Sequence, residues 1–267
     1  MKIILTLFFL AIPASCYSQD ISLSNEEIDW IGKKIFVNEC AGKTECLISW
    51  NAGEDFASLG IGHFIWYPEG KKGVFDESFP ELLNFFKSKG IELPSWLQES
   101  SNPDCPWNTR EEFIQNLQSQ KMIILRRFLV DTVPLQALFM ANRLQKALPK
   151  MLKAVPKESR AHIRQQFYRV VNTSSGMYVL IDYVNFKGEG VLQTERYKGK
   201  GWGLLQVLEG MEGSESGIKA LQEFSRAAEI ALTRRINNAP GERREQEQRW
   251  LPVWKKRIRT YTGEALQ

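Results

Sequence analysis

Apolar positions recur at helical spacing along most of the chain and change to a strand-like pattern at one place near its start. Ser24-Asn25-Glu26-Glu27 reads as a capping box, with the Ser24 oxygen on the third amide and Glu27 reaching back. Ile28, Ile31 and Ile35 then carry a first helix toward Glu39. Leu47-Ile48-Ser49-Trp50 is strand-like, Asn51-Ala52-Gly53 is a turn signal, and 56–66 reads as a second strand. Glycines at 60 and 62 weaken a strand interior unless something must approach the backbone closely. A sugar chain lying across the sheet and plain tight packing both meet that condition.

Residues 68–107 are rich in proline and glycine and read as loops, with short helices at 78–88 and 94–98. From Thr109 the pattern is helical. Thr109 and Glu112 form a second capping box, and Ile114, Leu117, Ile124 and Phe128 mark a buried face. Pro134 divides this helix from one carrying Leu135, Leu138, Leu148 and Met151, and Ile163, Phe167, Val170 and Val171 mark a third. The 177–186 stretch is almost wholly apolar, the signature of a helix buried on all sides. One more helix spans about 215–237, and a last one begins near Pro240-Gly241. The expected fold class is α+β, mostly α: a single domain over 19–267, with a small N-terminal β-hairpin region at about 39–67 and a helical part at about 109–262.

The first residues change the picture of where the protein works. Lys2, an apolar run over 3–12 and the small residues before Gln19 make a secretory signal peptide, residues 1–18, too short to span a bilayer. The expected location is periplasmic or secreted, with a lipoprotein anchored at Cys16 as the lesser alternative. Of the four cysteines, Cys40, Cys46 and Cys105 remain after cleavage, in a compartment that permits disulfides. A Cys40–Cys46 bridge would staple the helix end at Glu39, although Cys105 can capture either partner. A hydrophobic content of 43% and eight tryptophans indicate a packed globule. The net charge of +4 is too mild and too scattered for a nucleic-acid interface. No second segment suits a membrane span, two histidines and scattered thiols give no zinc pattern, and no cofactor is expected. A monomer acting on a polysaccharide fits these bounds.

The chemical proposal lies in 39–63. A glutamate that ends a helix faces a hairpin bearing Glu54, Asp55 and Ser58, and glycosidases need one carboxyl to protonate a leaving oxygen and a second group to manage the cation or activate water. Ser58-Leu59-Gly60-Ile61-Gly62-His63 resembles the Thr-Ile-Gly-Ile-Gly-His strand of phage-type lysozymes, which follows a helix-ending Glu. That resemblance implies a lysozyme-like fold with Glu39 as general acid, Ser58 in the hydroxyl position, and Asp55 or Glu54 as the second carboxylate. The interval from Glu39 to Ser58 is longer than in phage lysozymes and closer to the hairpin of chitosanases. The last helix, with Arg243-Arg244-Glu245-Gln246-Glu247, is similar to the Arg-rich helix near the end of phage-type lysozymes. Burial against Phe36, Trp50 and Trp66 would raise the Glu39 pKa as a general acid requires. Ser58 and His63, an odd spacing apart on one strand, would face opposite ways, which argues against a Ser-His relay and leaves His63 as a structural or substrate-binding hydrogen-bonder.

A second constellation competes. Asn185-Phe186-Lys187-Gly188-Glu189-Gly190 ends the apolar helix, and Gly203-Leu204-Leu205-Gln206 follows at an interval similar to that between the catalytic Glu and the Gly-Leu-Met-Gln motif of lytic transglycosylases. That likeness implies Glu189 as an alternative acid, although Gly190 stands where the family has Ser; with both motifs on one cleft, Glu189 would instead be a substrate-binding or auxiliary acid. Tyr197 and Trp202, in a glycine-rich stretch, are candidate sugar-stacking residues beside Gln206. The expected function is an exported glycoside hydrolase of peptidoglycan or a related amino-sugar polymer. The alternatives are a transglycosylase-like enzyme using Glu189 and a non-catalytic glycan-binding envelope protein.

Overall fold

A computed structural model of the chain describes residues 22–73, 75–100 and 102–263. The signal-peptide reading and Cys16 lie outside the described residues. Helix α1 (Asn25–Cys40) starts as expected: the Glu27 amide donates to Ser24 Oγ at 3.1 Å, and the Ser24 amide donates to Glu27 Oε2 at 2.8 Å. It stops because Ala41 and Gly42 both take positive φ, and the Ala41 amide closes on the Val37 carbonyl. A Cys40–Cys46 disulfide with a Cα separation of 5.3 Å pins the turn that follows. Cys105 is buried and free.

The chain next forms an antiparallel sheet of three very short strands, β1 (Ile48–Ser49), β2 (Ala57–Leu59) and β3 (Phe64–Trp66), in sequential order. Ser49 pairs with Ser58, and Ser58 with Ile65. The single strand expected over 56–66 is therefore two strands and a turn. Gly60 has φ of 69° and His63 φ of 48°, so the backbone reverses between them. Gly60 is required there twice over: a Cβ would sit 2.3 Å from Gln136 Oε1, which accepts from the Ile61 amide at 2.9 Å. Gln136 is fully buried, and its amide nitrogen donates to the Leu129 carbonyl and Thr132 Oγ1. One satisfied side chain thus locks the turn onto the helices.

Helices build the rest: α2 (Phe79–Ser88), α3 (Arg110–Gln115), α4 (Gln120–Asp131), α5 (Val133–Ala154), α6 (Arg160–Val171), α7 (Gly176–Lys187), α8 (Leu204–Glu209), α9 (Ile218–Asn238) and α10 (Gly241–Arg259). A two-stranded hairpin, β4 (Arg196–Tyr197) and β5 (Lys200–Gly201), precedes α8. The helix expected from Thr109 is split in two. Thr109 caps α3 and Ser119 caps α4, so the helical phase restarts between them. The buried positions are accordingly Phe113, Met122, Leu125 and Leu129, while Ile114 and Ile124 face solvent. The reach-back of Glu112 lands on the Asn108 amide, one residue before the cap.

Helix α7 is the central element that its sequence predicts. Positions 177–183 are buried on every side, and each large apolar side chain among them contributes about 1.5–3 kcal/mol by leaving water. Buried residues from α1 to Tyr261 form one continuous core. The architecture is mostly α with a small antiparallel sheet near the start. Among the described residues, no helix is long and apolar enough to cross a membrane.

Candidate active site

The C-terminal ends of α1 and α7 meet beside the Gly60–His63 turn, and α10 closes over them. Glu39, in the last turn of α1, has its side chain 13% exposed. Its Oε1 accepts from Asn185 Nδ2 at 2.9 Å and from Arg257 Nη2 at 2.5 Å, and its Oε2 lies 3.4 Å from His63 Nε2. Arg257 extends from α10 and also grips Asp182 of α7 with two bonds, Nε to Oδ2 at 2.8 Å and Nη2 to Oδ1 at 2.7 Å. Asp182 is fully buried and accepts further bonds from Tyr261 Oη at 2.6 Å and Asn38 Nδ2 at 3.1 Å. The guanidinium also lies over the Phe186 ring, 4.5 Å from its centroid.

One guanidinium between two carboxylates leaves the group with one negative charge when His63 is neutral. Burial alone pushes the Glu39 carboxyl upward. The His63 hydrogen bond and the Arg257 charge and hydrogen bond outweigh it and hold Glu39 at about 2, against an ordinary 4.5. The upward shift expected from apolar walls is thus reversed. Trp50 and Trp66 pack elsewhere, against Phe113 and Phe79, and the groups at Glu39 are a guanidinium, an imidazole and a side-chain amide. Burial pulls the Arg257 guanidinium downward, and Asp182 with Glu39 outweighs it and pushes it upward.

His63 and Asn185 present this cluster to a cleft of about 380 Å³. The Gly62–Ile65 segment forms one wall. Phe75, Asp76 and Ser78 extend that wall, Met140, Arg143, Leu144 and Lys150 of α5 and the end of α7 form others, and Glu189, Val191, Leu192 and Glu195 follow α7 along a further edge. Glu189 pairs with Lys150 at 3.4 Å. The two sequence constellations therefore meet at one cleft, His63 from the first and Glu189 from the second. A smaller depression beside Trp30 carries Glu27 as its one carboxylate and offers no comparable chemistry.

The remaining sequence candidates occupy other places. Glu54 and Asp55 lie in the β1–β2 loop, outside the cleft lining. Asp55 is exposed, and the Glu54 carboxylate accepts from Asn51 Nδ2 at 3.1 Å. Ser58 is buried at the centre of the sheet, between Ser49 and Ile65. Gln206 is also buried and works on the loop after α7: its Nε2 donates to the Gly190 carbonyl and its Oε1 accepts from the Gly203 amide, both at 3.1 Å. The Leu204 and Leu205 amides at the start of α8 donate to the Gly188 and Glu189 carbonyls, both at 3.0 Å. The Gly-Leu-Leu-Gln motif thus holds the backbone that carries Glu189. Gly190 (φ 80°) must be glycine, because a Cβ there would stand 2.3 Å from Gln206 Oε1.

Tyr197 and Trp202 pack against each other at a 52° tilt, centroids 4.6 Å apart, beside Arg235, whose guanidinium lies 4.1 Å from the Trp202 ring centroid. Glu247 completes that cluster, accepting from Tyr197 Oη and from Arg235 twice. The pair is a packed joint between the β4–β5 hairpin, α9 and α10, away from the cleft lining. Lys187 sits close by, buried, with Nζ 3.9 Å from the Phe186 centroid and 3.5 Å from that of Trp254. Burial, with the Arg235 charge adding to it, lowers its amine to about 6.

The sequence reading missed Arg257, Asp182 and Glu195. Arg257 stood in a basic run, Lys255-Lys256-Arg257, that reads as solvated surface. Asp182 offered a usable signal as a lone carboxylate inside an otherwise apolar helix, where a buried charge needs a partner. Among the described residues, no group of three or more His, Cys, Asp or Glu is placed to hold a metal ion. No family model matches the chain, and no curated protein or solved structure matches it.

Proposed function

We propose that the protein is an exported, lysozyme-like glycoside hydrolase of peptidoglycan or a related amino-sugar polymer, working in the cleft between the Gly62–Ile65 segment, α5 and the end of α7. The observation that carries this reading is Glu39: a carboxylate at a helix end, held by Asn185, His63 and Arg257 where a sheet turn meets a groove. A glycosidase cleft needs negative charge facing the oxocarbenium-like transition state and a separate proton for the leaving oxygen. The Glu39–Asp182–Arg257 group, with its net negative charge, meets the first need. Glu39 is ionised at neutral pH, so its role here is to stabilise the cation. The general-acid role that the lysozyme resemblance assigns to it would require a proton it does not hold in the free protein. Preorganised charge of this kind, fixed before the substrate arrives, is commonly the largest single contribution to an enzymatic rate.

Release of soluble fragments from purified peptidoglycan, with chitosan as the second polymer, tests the reading when products are identified by mass. Glu39→Gln should lower turnover at least about 100-fold, the scale seen when one preorganised electrostatic group is removed, while the fold is retained. Anhydro-sugar products lost in Glu189→Gln would transfer the chemistry to a transglycosylase using the second motif. A folded wild-type protein that releases nothing from either polymer refutes the hydrolase reading.

A further inference from the structure

We propose that Glu195 is the proton donor of this cleft, working with the Glu39 group held behind His63 and Asn185, an assignment that rests on the glycosidase reading above. Glu195 lines the same groove as His63 and Asn185. Its carboxyl is seated in a space made for it. Oε2 accepts from the Gly190 amide at 3.2 Å, and the carboxyl lies against Gly188, where a Cβ would stand 2.3 Å from Oε1 and displace it. Gly188 (φ 82°) and Gly190 (φ 80°) give the loop the left-handed turns that wrap it around this side chain.

The surroundings favour the protonated form. Burial pushes the Glu195 carboxyl upward; the Gly190 amide opposes it, the Glu189 charge adds to the push, and the net shift is upward. Glu39 is driven the other way by Arg257 and His63. A carboxyl in the cleft wall and a second held behind His63 and Asn185, with environments that push their titrations apart, are an arrangement that lets one donate a proton while the other stays ionised.

In the proposed step the Glu195 carboxyl gives its proton to the glycosidic oxygen as the C1–O bond breaks, and the bonding electron pair leaves with that oxygen. The cation that remains faces the Glu39 group. Water then adds at C1, and the proton it releases restores the Glu195 carboxyl. Glu189 acts as a positioning residue: its charge, anchored by Lys150, keeps the Glu195 proton in place.

The test compares a natural polymer with an aryl glycoside of the same sugar, whose nitrophenolate leaves without protonation. Glu195→Gln keeps an oxygen for the Gly190 amide and the same volume beside Gly188. It should lose about 10²- to 10⁴-fold in kcat on the polymer, the usual contribution of a general acid, and less than about tenfold on the aryl glycoside. Glu39→Gln should lose both activities. In Glu189→Gln, which retains the donor, the basic limb of the polymer pH–rate profile should move to lower pH. Polymer turnover by Glu195→Gln within about threefold of wild type, well short of a general acid's contribution, overturns the assignment and leaves the hydrolase reading standing. Equal losses on both substrates overturn it too, since that is the mark of a structural role. Wild-type protein inactive on both substrates refutes the hydrolase reading and the assignment with it.

Discussion

Replacing Arg257 by Met removes the one cation shared by Asp182 and Glu39 and keeps an unbranched side chain against Phe186. Three short charge-assisted bonds disappear. Asp182 has no exposed surface and retains only Tyr261 and Asn38 as donors. Breaking a buried pair in this way costs about 3–5 kcal/mol, because the orphaned charge stays out of water. With a urea m-value near the upper end of about 1–3 kcal/mol/M, the midpoint should fall by at least about 1 M. A second signature lies in the pH dependence. The folded-state pKa of Glu39 is depressed from 4.5 to about 2. At 1.36 kcal/mol per unit this supplies about 3 kcal/mol of stability. A depressed carboxyl stabilises fully above its unfolded value, and the contribution drains away as pH falls from about 4.5 through about 2. In Arg257→Met only His63 and Asn185 still hold that carboxylate, so the loss of stability across this window should be smaller than in wild type. Urea titrations at pH 7 and at intervals down to pH 2.5 measure both effects. A midpoint within about 0.3 M of wild type, under about 1 kcal/mol at that m-value, refutes the claim that Arg257 neutralises a buried charge. An unchanged acid slope refutes its hold on Glu39.

Two further substitutions probe the frame around the cleft. Gly60→Ala forces a side chain into positive φ and against Gln136 Oε1, breaking the bond to the Ile61 amide; thermal unfolding should show a loss of about 1–3 kcal/mol, the cost of an orphaned buried group, and a variant as stable as wild type would show the turn to be pliant. Lys187→Met should raise the urea midpoint at pH 7, because the buried amine titrates near 6 in the folded chain and near 10.5 when unfolded. Wild-type stability should climb over that interval and the variant's should not; parallel pH profiles would mean the ammonium stays charged between its two rings.

The parts of the fold legible in the sequence are those decided within a few residues. The Ser24 capping box, the end of α1 at Glu39, the apolar run of α7 and the closely spaced Cys40–Cys46 pair are all local arrangements. The 56–66 segment misleads because its apolar alternation continues through a turn, and only the positive φ values at Gly60 and His63 reveal the reversal. Ile114 and Ile124 mislead because Ser119 resets the helical phase between them. At the site, Glu39 and Glu189 are visible as helix-ending acids, whereas the charge state of Glu39 is not. That state depends on Arg257, from an element at the far end of the chain, and no periodicity reports which face of a basic helix will meet a carboxylate. Tyr197 and Trp202 lie outside the cleft lining for a related reason: aromatic residues in a glycine-rich segment suit a groove and a packed joint equally, and Arg235 and Glu247 pack them into a joint.

The bond between Glu39 and Arg257 joins positions 218 residues apart. On a chain made from its N-terminus, α1 and the sheet turn are complete long before the residue that sets their charge exists. Until the last turn of α10 docks, Asp182 lacks the Arg257 guanidinium and Glu39 is held by His63 and Asn185 alone. Partial chains, stalled or clipped within α10, would carry the sequence motifs of the site without its electrostatics. Under the glycosidase reading proposed above, the order of synthesis would itself defer activity until the whole chain has folded.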